Sequence, residues 1–264
     1  SGLGQPRSIA PRLAQYRPRW RGYGRVRAAA APHPAQLLWA LGNVPVTTAG
    51  PGVMRLRHGS MPGMRTGQRQ SVMKVSSVNI GQAQSVQIGG RVVTSAIIKH
   101  AIACPVAANA LGLEGDEQAD LAVHGGLAKA VYAYPSEHFA FWRTVRAQAS
   151  AAAWDAALAP GSLGENLTLE GLTEDRAWIG DRLRFPHCVL AVSQPRHPCA
   201  KFNVAMGFSH AARLMTQSAW CGFYLAVIEP GTIEAGEAFE VFPGPREVRI
   251  DELFRATASP RCAA

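Results

Sequence analysis

The pattern of apolar and polar positions changes character at Met73. Residues 1–72 show neither period 2 nor period 3.6, are rich in Arg, Ala, Pro and Gly, and carry Met54, Met61 and Met64 as candidate internal start points, with Met73 following directly. Beyond Met73, short apolar and β-branched runs are separated by turn residues, the texture of a sheet-rich barrel or sandwich. Strands are expected at Met73–Ile80, Arg91–Lys99, Ala130–Tyr134, Arg182–Phe185, Val189–Val192, Phe223–Ile228 and Ala238–Phe242. Gly89-Gly90 and Glu229-Pro230-Gly231 mark turns, and Leu121-Ala122-Val123 is strand-like. One long helix is predicted: Pro135 suits its first turn, and Phe139, Trp142 and Val145 recur every three residues on one face before the Ala-rich 147–157 stretch. About eight strands, one helix and no internal repeat result.

A 47% hydrophobic chain of 264 residues can bury a sizeable core, so a globular protein is expected. The net charge of +9 would point to nucleic acid if it were spread over the fold, but it is not. Eleven arginines and no Lys, Asp or Glu lie in residues 1–72, which leaves sixteen basic against eighteen acidic residues in 73–264, a net of −2. The body therefore gives no reason to expect a specific nucleic-acid partner. The basic extension lacks the aromatic interleaving of a single-strand groove. Three readings stand for it: an over-called or appended N-terminus, a disordered basic tail, and an organelle transit peptide. The apolar stretch 35–46 is broken by Gly42, Asn43 and Pro45 and is too short to span a bilayer, so no membrane partner is expected. Five cysteines without a CxxC pair argue against a secreted disulfide framework and against a zinc ribbon, and a reducing cytoplasm fits them best.

Chemistry concentrates in three segments. Ser193-Gln194-Pro195-Arg196-His197-Pro198-Cys199-Ala200-Lys201 follows an apolar strand, and its two prolines predict a stiff loop facing a ligand. Arg196 and Lys201 near Cys199 favour thiolate, which is a nucleophile and a ligand for soft or redox-active metals. In His124-Gly125-Gly126-Leu127-Ala128-Lys129, the glycines permit close backbone approach while His124 and Lys129 can address an anion. In Gly161-Ser162-Leu163-Gly164-Glu165-Asn166, Glu165 accepts and Asn166 both donates and accepts, as needed to read a heterocycle edge. Taken separately, the second segment also reads as a hairpin turn and the third as a solvated turn.

In this order the segments resemble the MOSC domain, named for the C-terminus of molybdenum cofactor sulfurase. The resemblance runs from Met73 to Phe242 and includes Ile179-Gly180-Asp181-Arg182 and the Gly164-Glu165-Asn166-Leu167-Thr168 run. It is closest to small bacterial stand-alone members that reduce N-hydroxylated purine analogues, whose Gly112-Leu113-Glu114-Gly115-Asp116 and Tyr134-Pro135-Ser136-Glu137-His138 matches are also present. The likeness implies a mainly β, MOSC-type barrel with a few helices over residues 73–245. It would be preceded by the disordered or artefactual extension 1–72 and followed by a C-terminal tail, 246–264. It also implies a molybdenum–molybdopterin cofactor with Cys199 as metal ligand and catalytic residue. His124, Gly125, Gly126, Lys129, Glu165, Asn166, Ser193, Gln194, Arg196 and Lys201 are then the candidate cofactor-binding residues. The implied activity is detoxifying reduction of a small N-hydroxylated substrate to its amine with electrons from an external reductase. Whether the protein is a monomer or a homodimer stays open.

The chain departs from that pattern at Leu127-Ala128, where many relatives have Pro-Asp, and at Ala219-Trp220-Cys221, where many have Gly-Arg after the serine. Rival readings are a non-catalytic cofactor or sulfur carrier using the same cysteine, and a thiol-dependent hydrolase with His124, His138 or His197 as base. A zinc site from His187-Cys188 and His197-Cys199 is disfavoured, because adjacent strand residues point to opposite faces.

Overall fold

The computed structural model of the protein describes residues 72–119 and 125–258. The N-terminal extension, the strand expected at 121–123, His124 and Cys262 lie outside the described residues.

Thirteen strands and four α-helices are formed among the described residues. The main sheet contains β1 (Lys74–Ile80), β4 (His100–Ile102), β7 (Val131–Pro135), β8 (Leu167–Glu170), β9 (Arg182–Arg184), β10 (Val189–Pro195), β11 (Phe223–Glu229) and β13 (Glu240–Phe242). Its order is β13-β9-β10-β11-β7-β8-β1-β4, antiparallel throughout except for the parallel pair of β7 and β8. The sheet closes on itself. Val75 N donates to Glu237 O (2.9 Å), Gly236 N to Val75 O (2.7 Å) and Phe239 N to Met73 O (3.0 Å). The first half of β1 thus pairs with the segment that runs directly into β13, at the opposite end of the strand order, so the expected barrel is formed with no long open edge.

The central strand β7 is buried at all five positions, because β11 and β8 flank it and the core covers it. Its apolar Val131-Tyr132-Ala133-Tyr134 run is what such a doubly covered strand requires. Two smaller sheets attach: β2 (Gln84–Ile88) with β3 (Arg91–Ser95), and β12 (Gly231–Ile233) with β5 (Val106–Asn109) and β6 (Gly112–Leu113). Gly89 and Gly90, at φ +55° and +79°, make the two-residue turn between β2 and β3, which only glycine adopts without strain. The strand expected to reach Lys99 stops at Ser95, the residue that pairs with Gln84 at the start of β2. Residues 96–99 have no partner strand and form irregular backbone.

The helix expected after Pro135 begins as a 3₁₀ turn, Ser136–His138, and continues as α1 (Phe139–Gln148), with Trp142 fully buried. Three further helices were not expected: α2 (Ala200–Met206), α3 (Ala211–Ser218) and α4 (Ile250–Ala258). Each buries a pair four residues apart, Phe202/Met206, Ala211/Met215 and Ile250/Phe254, which is the spacing that puts two side chains on one helical face. With only seven to nine residues each, they offer too few turns for that periodicity to stand out in sequence. The segment 246–264, expected as a tail, therefore contributes α4 to the same core.

Phe254→Ala should cost about 3–5 kcal/mol of stability, the range for emptying a fully buried aromatic site. Urea unfolding measures it. A loss below about 1 kcal/mol would show that α4 is not part of the barrel's cooperative core.

Candidate functional site

The end of β10 delivers the chemistry. Its ladder with β11 runs to Pro195, paired with Phe223, after which Arg196–Pro198 leave the sheet and Cys199 caps the start of α2. A cleft of about 600 Å³, its open mouth included, lies here. Cys199, Arg196 and Lys201 reach it from this segment, Lys129 from the 3₁₀ turn Leu127–Lys129, Tyr132 from β7 and Tyr224 from β11. Ser95–Ile97, Lys99 and Asp116–Ala119 complete the wall with Gly164 and Asn166.

Arg196 is almost fully buried. Its guanidinium lies 5.2 Å from the Tyr132 ring centre and 5.0 Å from that of Phe202, and Nη1 donates to Met215 Sδ at 3.5 Å. Among the described residues no carboxylate lies within ion-pair distance. A guanidinium stays charged at any ordinary pH, so a permanent cation sits at the cleft on an aromatic seat, without a counter-charge from those residues. Lys129 adds a second cation, 5.8 Å from the Tyr224 ring centre, and burial lowers its pKa. Lys201 Nζ donates to Thr94 O at 3.1 Å, tying α2 to the end of β3. Burial raises the pKa of Tyr224, and that of Tyr132 far more strongly, so both phenols are neutral. Cys199 itself is half-buried and opens to the cleft.

The candidate residues fall into two groups. Cys199, Lys129, Asn166, Arg196 and Lys201 line the cleft together. Glu165, Ser193, Gln194, Gly125 and Gly126 are not part of its lining. Glu165 is fully buried: Oε1 accepts from Gly161 N (2.6 Å) and Thr168 Oγ1 (2.9 Å), and Oε2 from Leu163 N (3.0 Å). Desolvation raises its pKa against those donors. Ser193 Oγ donates to Ala128 O (2.5 Å) beside Tyr224 O (2.9 Å), anchoring the turn that carries Lys129 to β11. Gly126, at φ +91°, starts that turn, and Gln194 is half-buried within β10. Asn166, though at the cleft, has both ends engaged: Nδ2 donates to Asp116 Oδ2 (2.8 Å) and Asn79 O (3.2 Å), while Oδ1 accepts from Tyr132 N (3.1 Å). It braces the wall rather than offering a free edge to a heterocycle.

Tyr132, Tyr224, Lys99 and Asp116 were not among the candidates. An alternating Tyr in a strand is the ordinary signature of a core, and nothing local says that Tyr132 and Tyr224 become neighbours with ring centres 5.5 Å apart when β7 pairs with β11. The divergent segment Ala219-Trp220-Cys221 serves a different cluster. Trp220 stacks on His138 (4.4 Å, 9°), which meets Glu174 Oε2 at 2.8 Å, while Gly222 N donates to Glu174 Oε1 at 2.7 Å. Cys221 is buried there, away from the cleft lining. His197 stacks on Phe254 and meets Thr257 Oγ1 at 3.2 Å; burial, Lys129 and Arg196 lower its pKa. Among the described residues no group of three His, Cys, Asp or Glu is placed to hold a metal ion, so the zinc reading finds no support there.

The MOSC domain profile matches residues 120–240, the span from the His124 segment through β12. The protein YiiM of Escherichia coli is 38% identical over 60% of this chain and 68% of its own length, and Bacillus subtilis YflK is 36% identical over 66% and 75%. The chain belongs to the MOSC domain family. A third relative, a Gibberella moniliformis protein named a reductase, is 31% identical over 64% of this chain but only 29% of its own length. Among solved structures, YiiM from Geobacillus stearothermophilus is 31% identical, with a TM-score of 0.56, covering 70% of this chain and 84% of that one. From the Pro195–Lys201 segment, Arg196, Cys199 and Lys201 reach the cleft of this MOSC protein.

Two outcomes test this geometry. Alkylation of the native protein near pH 8 should modify exposed Cys104 and half-buried Cys199 and spare Cys188 and Cys221. Burial and nearby Glu237 push the Cys188 thiol up to about 12, and burial raises Cys221 well above its usual value. Peptide mapping reads the labelled sites, and labelling of Cys221 before Cys199 would refute the assignment of the accessible thiol. Glu165→Gln should lower stability by about 1–3 kcal/mol by setting an amide N–H against a buried donor, without changing ligand affinity at the cleft. Unchanged stability with lost ligand binding would instead make Glu165 a ligand-contacting group.

Proposed function

We propose that this MOSC protein binds a molybdenum–molybdopterin cofactor in the Cys199 cleft and reduces small N-hydroxylated compounds, such as N-hydroxylated purine bases, to amines with electrons from an external reductase. The observation that carries the reading is the pairing of an accessible thiol with a buried, permanently charged guanidinium that lacks a carboxylate among the described residues. Such a site suits an anionic ligand that also presents a soft metal. Support comes from membership of the MOSC family and from similarity to a protein named a reductase.

The donor set fits the group. Arg196, Lys129 and Lys201 supply cations for its phosphate or pterin oxygens, Arg196 in the orientation that its stacking on Tyr132 and Phe202 imposes. Cys199 supplies one thiolate, which by itself is no complete metal site, so the remaining ligands would come with the cofactor. When bound, the cofactor supplies the two-electron, oxygen-accepting chemistry that no side chain provides. The N–O bond of the substrate breaks, two electrons and two protons are consumed, and the products are the amine and water. Lys129, whose pKa burial lowers, stands at the cleft with a proton to give. A sequence without a CxxC pair and a requirement for reducing equivalents agree with a cytoplasmic setting. Among the described residues no helix is long and apolar enough to cross a membrane.

A hydrolase would need a base beside Cys199. Of its candidate bases, His197 is turned onto Phe254 and Thr257, and His138 is buried against Glu174 and Trp220.

Cys199→Ser should keep the fold and abolish reduction of 6-hydroxylaminopurine, because an alkoxide oxygen is harder and less covalent toward molybdenum. Protein made in a molybdopterin-producing host is assayed with a chemical electron donor, alongside molybdenum per chain. Full activity in Cys199→Ser at unchanged metal content would refute the proposal.

A further inference from the structure

Four cationic side chains reach the cleft: Lys99, Lys129, Arg196 and Lys201. Lys99 is held by a carboxylate inside the wall. Its Nζ donates to Asp116 Oδ1, and the two side chains are only 7% and 2% exposed. Arg196 and Lys201, by contrast, form no ion pair among the described residues. Asp116 is also fixed by two further donors, Gly81 N on Oδ1 (2.8 Å) and Asn166 Nδ2 on Oδ2 (2.8 Å). Asn166 in turn holds the backbone of Tyr132, whose ring underlies Arg196. The neutralised pair is therefore locked to the same strand that seats the uncompensated guanidinium. Burial pulls the Lys99 pKa down, and Asp116 and Glu165 act against it.

We propose that the Lys99–Asp116 pair determines where an anionic ligand lies in the cleft. Asp116 cancels the Lys99 charge, so that wall presents no net positive charge, with Glu117 also on it, and the negative end of the ligand is drawn to Arg196 and Lys201 beside Cys199. The ligand class is a multiply charged anion, a phosphate ester or pyrophosphate group. Lys99 and Asp116 are positioning residues: they act through the field in the cleft, not by touching the reacting atoms. This inference rests on the reading of the cleft as an anion site.

The test is calorimetric titration of the full chain with inorganic pyrophosphate, comparing K99M, D116N, the double variant K99M/D116N, and R196A. K99M leaves a carboxylate uncompensated and should weaken binding by at least about tenfold, the effect of one charge on a single unit of ligand charge across about 10 Å at an effective dielectric of about 20. D116N leaves a cation uncompensated and should strengthen binding by a similar factor. The double variant removes both charges and should return to within about threefold of the wild-type affinity. A buried pair replaced as a whole is tolerated where loss of one partner is not, so the double variant decides the matter even if K99M or D116N fails to fold: near-wild-type affinity supports the proposal, and a loss like that in R196A overturns it. Equal loss in K99M and K99M/D116N would show that Lys99 binds the anion directly and overturn the proposal. Lowered melting temperatures with no opposite-signed affinity changes would reduce the pair to packing and overturn it too. R196A reports on the underlying reading. Loss of binding in R196A with no sign pattern in the other variants rejects the pair alone, whereas no pyrophosphate binding by the wild type rejects the anion site and this inference together.

Discussion

Burying the Arg196 charge is the constraint on which the rest of the site depends. A guanidinium cannot shed its proton to escape a low-dielectric setting, so the surrounding structure has to compensate for lost hydration. Three elements do this: Tyr132 from β7 and Phe202 from α2 offer ring faces, and Met215 from α3 offers a sulfur acceptor. None of them supplies a negative charge. The β10–β11–β7 ladder brings the strand end to the rings, and the two short helices close over it from the other side. The same helix start that covers Arg196 positions Cys199, so thiol and guanidinium are placed by one arrangement.

That arrangement explains why the barrel was legible in sequence while much of the cleft was not. β1, β7, β9, β10 and β11 are continuous apolar or alternating runs, and the turn at Gly89-Gly90 follows from residue type, so these elements follow from local pattern. The Pro195–Lys201 segment was recognisable from its composition, although its C-terminal part is helical rather than loop. Its two prolines predict a stiff loop, whereas a helix buried through Phe202 and Met206 starts directly after Cys199. Tyr132, Tyr224, Lys99 and Asp116 reach the cleft only through long-range pairing. The Lys99–Asp116 contact spans seventeen positions, and that of Asn166 with Asp116 spans fifty. No periodicity encodes such meetings.

A related division separates residues that face a ligand from those that hold the facing residues in place. Glu165, Ser193 and Asn166 carry the polar groups that look functional in sequence, yet each spends them on backbone or side-chain partners. Ser193 fixes the turn behind Lys129, Asn166 fixes Tyr132, and Glu165 fixes the loop from Gly161 to Thr168. A buried polar group left unpaired is costly, so a site made of charged residues needs such a shell of satisfied ones. The Trp220–His138–Glu174 cluster does the same for the β7–β11 connection, with Tyr134 donating to Trp220 O (3.0 Å) and Tyr132 to Cys221 O (2.8 Å). The divergence at Ala219–Cys221 thus falls in this packing layer.

The central claim, that Cys199 places its sulfur on molybdenum in this cleft, is tested most directly by X-ray absorption at the molybdenum edge of protein purified from a molybdopterin-producing host. The account predicts one sulfur ligand fewer at the metal in Cys199→Ser than in the wild type, with molybdenum still bound through its cofactor. An identical sulfur count in the two proteins would contradict it.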